Sequence, residues 1–408
     1  MDKTYPSDFG CLPGWGVAGN AQKFQTGYDN LASGGGGRIH LPERYYFTSP
    51  LHLHSNNVVI TGNGPRTGFW FQLDDPTKDA FVVEPNNPSD PGSFLQGVEM
   101  RDFSVLGGAS CAYNLVRIRY VVRSRFKGIH AMGGTSSHPF AIGTGWCNQF
   151  ELVATFATDH DGLPSPIYRP STWGQPLARP RSDYVHLLPS DEHRGGLNAN
   201  HFWLLVEGYG YPQGQNPDTY NLVRISNQNG PRTVSGQSAG NWTDQGNNWI
   251  TGTIEANVGG YGLYAEGCDS MCLHQLYLEE CKGMVLANCR QPVVSQTRWY
   301  SKLVLDGCLL PVVTQGAGDA LEITATTSHA GIGHLIVGQG TGTVVNNSPS
   351  TVTTGPVLQN ATQTLLGGGI FTSIGTAPRF LDQTAIVSSA AYVSTGTTAP
   401  GDWKKTTP

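Results

Sequence analysis

The sequence predicts an all-β protein, a parallel β-helix of stacked coils with one short helix capping its N-terminal end. Three observations predict it. Short alternating apolar runs recur between 200 and 308, as NHFWLLVEG, NNWITGTIEAN, CLHQLYLEE and KLVLDGC. They are too short and too β-branched for helices, and no run of helical period separates them. Particular residues also recur at coil spacing: Asn200 and Asn248 each precede a glutamate by seven residues, and Cys268, Cys289 and Cys308 follow one another at 21 and 19. Strands that must pair side by side in chain order, joined only by turns, stack as a solenoid, with equivalent residues about 4.8 Å apart.

Composition agrees. Gly is 53 of 408 residues and only 13% are charged, which suits many tight turns and a surface of Ser, Thr, Asn and Gln. A solenoid grows by adding coils, so this length needs no division into separate globular units. The formal net charge of −5 comes without a dense Lys/Arg cluster, which argues against nucleic acid as a partner. The opening MDKTYPSDFG lacks a basic, apolar signal pattern, and no run approaches the ~20 apolar residues of a membrane span. The expectation is a soluble chain, neither inserted in a membrane nor exported by the usual route.

In the first 64 residues, Phe24, Tyr28 and Leu31 share one helical face, with Asn20 placed to cap and the run Gly34 to Gly37 to stop. Such a helix would cover the open first coil. The order DFG, a glycine-containing loop, this helix, GGGGRIHLP, a Tyr-Tyr-Phe strand and PLHLHSNNVVITGNG resembles the opening of the pectate-lyase-like proteins, among them phage tailspikes and polysaccharide depolymerases. An Asp-Asp-Thr turn of many members is replaced here by Gly19, Asn20 and Ala21. The resemblance implies a right-handed, single-stranded β-helix, homotrimeric, carried on a virion tail or otherwise extracellular, acting on a bacterial polysaccharide without a cofactor.

The body is read as residues 65–310. FWFQL, AFVVE, MRDFSVLG, NLVRIRYVV and FKGIHAMG continue the alternation, and insertions at 158–181 and 208–220 interrupt it. Both fall between the first and second strands of consecutive coils, so they project from one side and wall a groove. Tyr168, Trp173, Tyr209 and Tyr211 within them either stack on sugar faces or pack the loops down. Residues 311–408, rich in Thr, Gly and Ser, form either further coils or a trimer-forming end.

Alternation fixes which side chains point outward. With Phe202, Leu204 and Val206 inside, Glu207 is outside, and the same parity exposes Glu255 and Glu279. Three carboxylates would share one column, the chemistry that glycoside hydrolysis requires. The other reading of these glutamates is structural, as strand-end hydrogen-bond acceptors. In the second strands, His186, Arg224 and Tyr264 form a parallel outward column suited to contacting substrate, Arg to a carboxylate and His or Tyr to a proton. Hydrolysis is preferred to elimination because carboxylates outnumber bases. A non-catalytic glycan-binding virion fibre or adhesin is the alternative. The cysteines read as an inward column of small apolar residues, Asn148, Asn200 and Asn248 as a ladder of stacked amides, and Asp159, His160 and Asp161 as hydrogen-bonding loop residues, so no metal site is expected.

Overall fold

The computed structural model describes residues 3–90, 92–108, 110–133, 138–155, 182–188, 196–208, 220–226, 246–255, 259–337 and 344–348, together with the backbone of short strands at 233–234, 237–238, 352–353, 357–359, 363–366, 384–387, 390–394 and 403–405. The chain is a right-handed parallel β-helix. From Gly37–Leu41 onward, the coil strands pair in parallel with strands of neighbouring coils, up to Val357–Gln359 against Gly331–Val337, while Thr233–Val234 and Gln237–Ser238 form a separate antiparallel pair. Beyond that, the pairing turns antiparallel through Gln363–Leu366, Thr384–Val387, Ala390–Ser394 and Trp403–Lys405.

Helix α1 (Asn20–Ser33) closes the first coil. Its Phe24 ring meets Phe47 at 5.8 Å and Phe69 at 5.3 Å, so the apolar face that periodicity selected is the one buried. Its N-terminus differs from expectation. The capping position is Gly19, in a left-handed conformation, and no side chain caps the helix. Asn20 lies inside the first turn, where its amide clasps Leu12, accepting from the backbone N–H at 3.0 Å and donating to the carbonyl at 2.8 Å. That partner lies eight residues upstream, and satisfying its two backbone groups outweighs a cap.

The strands that carry the site are β1 (Arg125–Met132), β2 (Gln149–Thr155), β3 (Val185–Leu187), β4 (His201–Glu207), β5 (Val223–Ile225), β6 (Trp249–Glu255), β7 (Leu263–Glu266), β8 (Cys272–Glu279) and β9 (Arg298–Asp306). Strands β1, β2, β4, β6 and β8 build one face of the helix, and β3, β5 and β7 build a second. Inside the first face, Phe126, Phe150 and Phe202 stack nearly parallel, with centroids 5.2 and 4.8 Å apart. The amide ladder is present: Asn200 Nδ2 donates to Asn248 Oδ1 at 3.0 Å, and Asn148 Nδ2 donates to Asn200 Oδ1 at 2.9 Å. Cys268, Cys289 and Cys308 are buried free thiols on the inside of the coils.

One recurrent device carries no residue signature. The second residue before a strand is left-handed at Arg123, Cys147, Ala199, Asn247, Ser270, Gln291, Leu310 and His329, with φ between 49° and 57°. Most residue types find this conformation unfavourable by about 1 kcal/mol or more. The parallel hydrogen bonds on either side of the corner impose it.

Candidate functional site

Glu207, Glu255 and Glu279 are in register, Glu207 opposite Glu255 and Glu255 opposite Glu279. Each ends its strand with the side chain half-buried on the outer face. Neighbouring rungs lie about 4.8 Å apart. Burial, followed by repulsion from Glu255, raises the pKa of the Glu207 carboxyl above the usual range. Glu279 sits differently: the Tyr277 hydroxyl donates to its Oε2 at 2.7 Å. That bond to Glu279 is the main reason the Tyr277 phenol is pushed up to about 12. The Arg298 guanidinium lies over the Tyr277 and Tyr300 rings at 5.6 and 5.5 Å. The column therefore holds one carboxyl biased toward its protonated form and another that accepts a phenol hydrogen bond.

The second column also forms in register, His186 opposite Arg224 and Arg224 opposite Tyr264. Its environment was not legible in the sequence. His186 Nδ1 lies 2.9 Å from His138 Nε2, and its Nε2 lies 2.6 Å from Ser226 Oγ; His138 Nδ1 in turn lies 3.0 Å from the Asp183 carbonyl. Because a carbonyl only accepts, His138 carries its proton on Nδ1, His186 donates from Nδ1, and Ser226 donates to His186 Nε2. Burial, then His138 and Arg224, push His186 down to about 3, and burial likewise lowers His138. Arg224 lies beside Asp183, 3.7 Å from Oδ2, and the Tyr264 hydroxyl is raised by burial and Glu266.

The two columns flank the corner where first strands end and second strands begin. The insertions fall between these first and second strands in the sequence, and their residues Tyr168, Trp173, Tyr209 and Tyr211 lie outside the described residues, as do Asp159, His160 and Asp161. Among the described residues, no group of three or more His, Cys, Asp or Glu side chains could hold a metal ion, and no helix is long and apolar enough to cross a membrane.

Sequence reasoning passed over the N-terminal half of the same outer face. Trp203 and Trp249 are 43% and 48% exposed there. The Trp249 ring stands edge-on between His201 and His274, at 6.0 and 5.9 Å. The parity that placed Glu207 outside also placed Trp203 outside, so the signal was available. Next to these rings is a depression of about 430 Å³ lined by Arg125, Lys127, Gln149, Glu151, His201 and Trp203, among others.

No protein-family model and no curated protein matches the chain. Solved structures do. The chain is similar to ORF18 of Geobacillus virus E2, with a TM-score of 0.60 at 13% identity over 99% of this chain and 75% of that one. It is similar to DFA-IIIase from Arthrobacter chlorophenolicus A6, with a TM-score of 0.51 at 9% identity over 84% and 86% of the two chains. The enzymatically active domain of tailspike protein 2 from bacteriophage CBA120 aligns with a TM-score of 0.48 at 11% identity, over 97% of this chain and 56% of that one. At these identities, the first two likenesses establish a shared fold.

Proposed function

We propose that this protein is a tailspike-like depolymerase that binds a bacterial surface polysaccharide, such as a capsule, O-antigen or exopolysaccharide, along the outer face and cleaves it by glycoside hydrolysis. The observation that carries the reading is the in-register carboxylate column with unequal environments. A carboxyl held toward its protonated form, in line with a second carboxyl in different surroundings, is an arrangement suited to a general acid and its partner. Glu207 is the general acid.

Glu255, one rung away at about 4.8 Å, stands close to the ~5–5.5 Å separation of retaining enzymes, which makes it the nucleophile. Glu207 with Glu279, two rungs or about 9.6 Å apart, falls at the upper end of the inverting range, so product stereochemistry separates the two pairs. Arg224 and Tyr264 contact the sugar, and His186 accepts a substrate hydroxyl in place of that of Ser226. Tyr168, Trp173, Tyr209 and Tyr211 are the proposed stacking residues of the insertions. Homotrimeric assembly and a place on a virion tail belong to the same reading, and light scattering tests the assembly.

The deciding experiment incubates the protein with a panel of bacterial polysaccharides and follows polymer size, new reducing ends and the ultraviolet absorbance of unsaturated uronic acids. Shortened chains with new reducing ends and no absorbance are expected. Absorbance would replace hydrolysis by elimination. Binding without shortening would make the protein a non-catalytic glycan-binding fibre and the column structural.

A further inference from the structure

Two register shifts shape the outer face. Between β1 and β2, Phe126 pairs with Phe150 but Ile129 pairs with Leu152, so Lys127 and Gly128 together oppose Glu151. Between β6 and β8, Ile250 pairs with Leu273 but Gly252 pairs with Leu276, so His274 and Gln275 oppose Thr251. An extra residue bends its strand and re-aims the neighbouring side chains. Gly128 accommodates the first bulge at φ 59°, where a Cβ would come within 3.0 Å of Asp102 Oδ1. The three strands between the bulges, β2, β4 and β6, pair residue for residue. They therefore form the floor of a trough about 14 Å wide, three rungs of about 4.8 Å, and the depression beside Trp203 lies in it.

The chemistry of this trough is uneven. Lys127 and Arg125 stand on its β1 side. Arg125 donates through Nε to Gln149 Oε1 at 3.0 Å, and neither cation has a carboxylate partner among the described residues. Trp203 presents an exposed ring on the floor one rung beyond Glu151. A flat apolar surface next to unpaired cations suits a ligand unit with an apolar ring face and a negative charge.

We infer that the trough between the bulges is a subsite for an anionic sugar unit, with Trp203 stacking on the ring and Lys127 and Arg125 taking its negative charge. Glu151, on the rung between Lys127 and Trp203, sets a like charge beneath the path from the stacked ring to the two cations and so weakens binding of the anionic group. The inference rests on the proposed glycan-binding role and narrows its substrate class to acidic polymers. Carboxylated and sulfated sugars share the required chemistry.

The test measures binding of the full chain to immobilised polymers: polygalacturonate and alginate as carboxylated probes, a sulfated dextran, neutral dextran, and any bacterial polysaccharide found to bind. The wild type is compared with Trp203→Ala, Lys127→Met and Glu151→Gln. An acidic polymer should bind, weaken about tenfold or more in Trp203→Ala through lost stacking, and weaken by several-fold in Lys127→Met with a shallower salt dependence. In Glu151→Gln the same polymer should bind two- to threefold more tightly, as a nearby like charge is removed. Carbodiimide reduction of the polymer's carboxylates abolishes binding if they are the anionic group; persistence for a sulfated probe alone identifies sulfate. Binding and shortening of a neutral polymer, unaffected by Lys127→Met, would overturn the subsite and leave the hydrolase reading intact. Lys127-dependent binding of an acidic polymer that is never shortened would do the reverse, and binding to no glycan would end both.

Discussion

Asn200 supplies the sharpest stability test. Its side chain is 1% exposed and makes four hydrogen bonds. Oδ1 accepts from Asn148 N–H at 3.0 Å and from Asn148 Nδ2 at 2.9 Å, while Nδ2 donates to Asn248 Oδ1 at 3.0 Å and to the Gly145 carbonyl at 3.1 Å. In Asn200→Ala, Asn248 Oδ1 keeps the Asn200 backbone N–H at 3.1 Å and Asn148 Nδ2 keeps Val121 at 2.9 Å. Two donor hydrogens on Asn148 are stranded. At about 1–3 kcal/mol for each buried donor, the loss is about 2–6 kcal/mol, with the low end reached if a water enters the vacated space. Asn200→Asp preserves the shape but sets an oxygen against two acceptors, so at neutral pH it should be at least as damaging as Ala. Its deficit should shrink as the pH falls and the new carboxyl protonates. Urea unfolding followed by tryptophan fluorescence measures both. Stabilities within about 0.5 kcal/mol of wild type for both variants would show that backbone pairing alone holds the coils and that the ladder is incidental.

Glu207→Gln should lower turnover by about 10²–10⁴ in a reducing-end assay, the usual contribution of a general acid. The same substitution should raise stability above the ordinary carboxyl range. The native carboxyl holds its proton more tightly than the unfolded one, so the wild type loses stability as pH rises from the unfolded value to the raised native one, and Gln does not. Below both values the difference should vanish. His186 works in the opposite direction: its native value of about 3 against an ordinary 6.5 means stability is lost as pH falls through that interval, and His186→Gln should flatten the acid limb of the unfolding curve. Of the eight cysteines, only Cys147 is exposed, so Ellman's reagent should find one fast thiol in the folded protein and eight in urea. Cys147→Ser should remove the fast one; a fast thiol that survives would place another cysteine at the surface.

Much of this architecture was legible because a solenoid converts sequence spacing directly into spatial neighbours. Glu207 and Glu255 share a column because each stands seven residues after the ladder asparagine of its coil, and Glu279 joins them one residue later in its coil because the bulge at His274 and Gln275 absorbs the extra residue. The same offsets yielded the amide ladder and the cysteine column. What was hidden depends on contacts between coils of different composition. The Lys127–Gly128 bulge appears only when two strands are laid side by side. Asn20 looked like a cap because Leu12, its actual partner, is remote. The His138–His186–Ser226 chain joins three coils, and no periodicity relates its members.

The hydrogen bonds of this fold run along the axis of the coil stack, which makes it a mechanically anisotropic rod. Tension applied along the axis bears on one rung at a time, so the chain should yield at its narrowest rungs, such as the three-residue strands Val185–Leu187 and Val223–Ile225. A coil of about 20 residues would then release roughly 70 Å of extended chain, and the two coils that carry the insertions, 52 and 48 residues from Gln149 to His201 and from His201 to Trp249, more than twice as much, giving a sawtooth of two step sizes under an atomic force microscope. Tension across the axis loads many rungs together in shear. The rod should therefore be stiff against sideways drag and comparatively weak against being drawn out end to end.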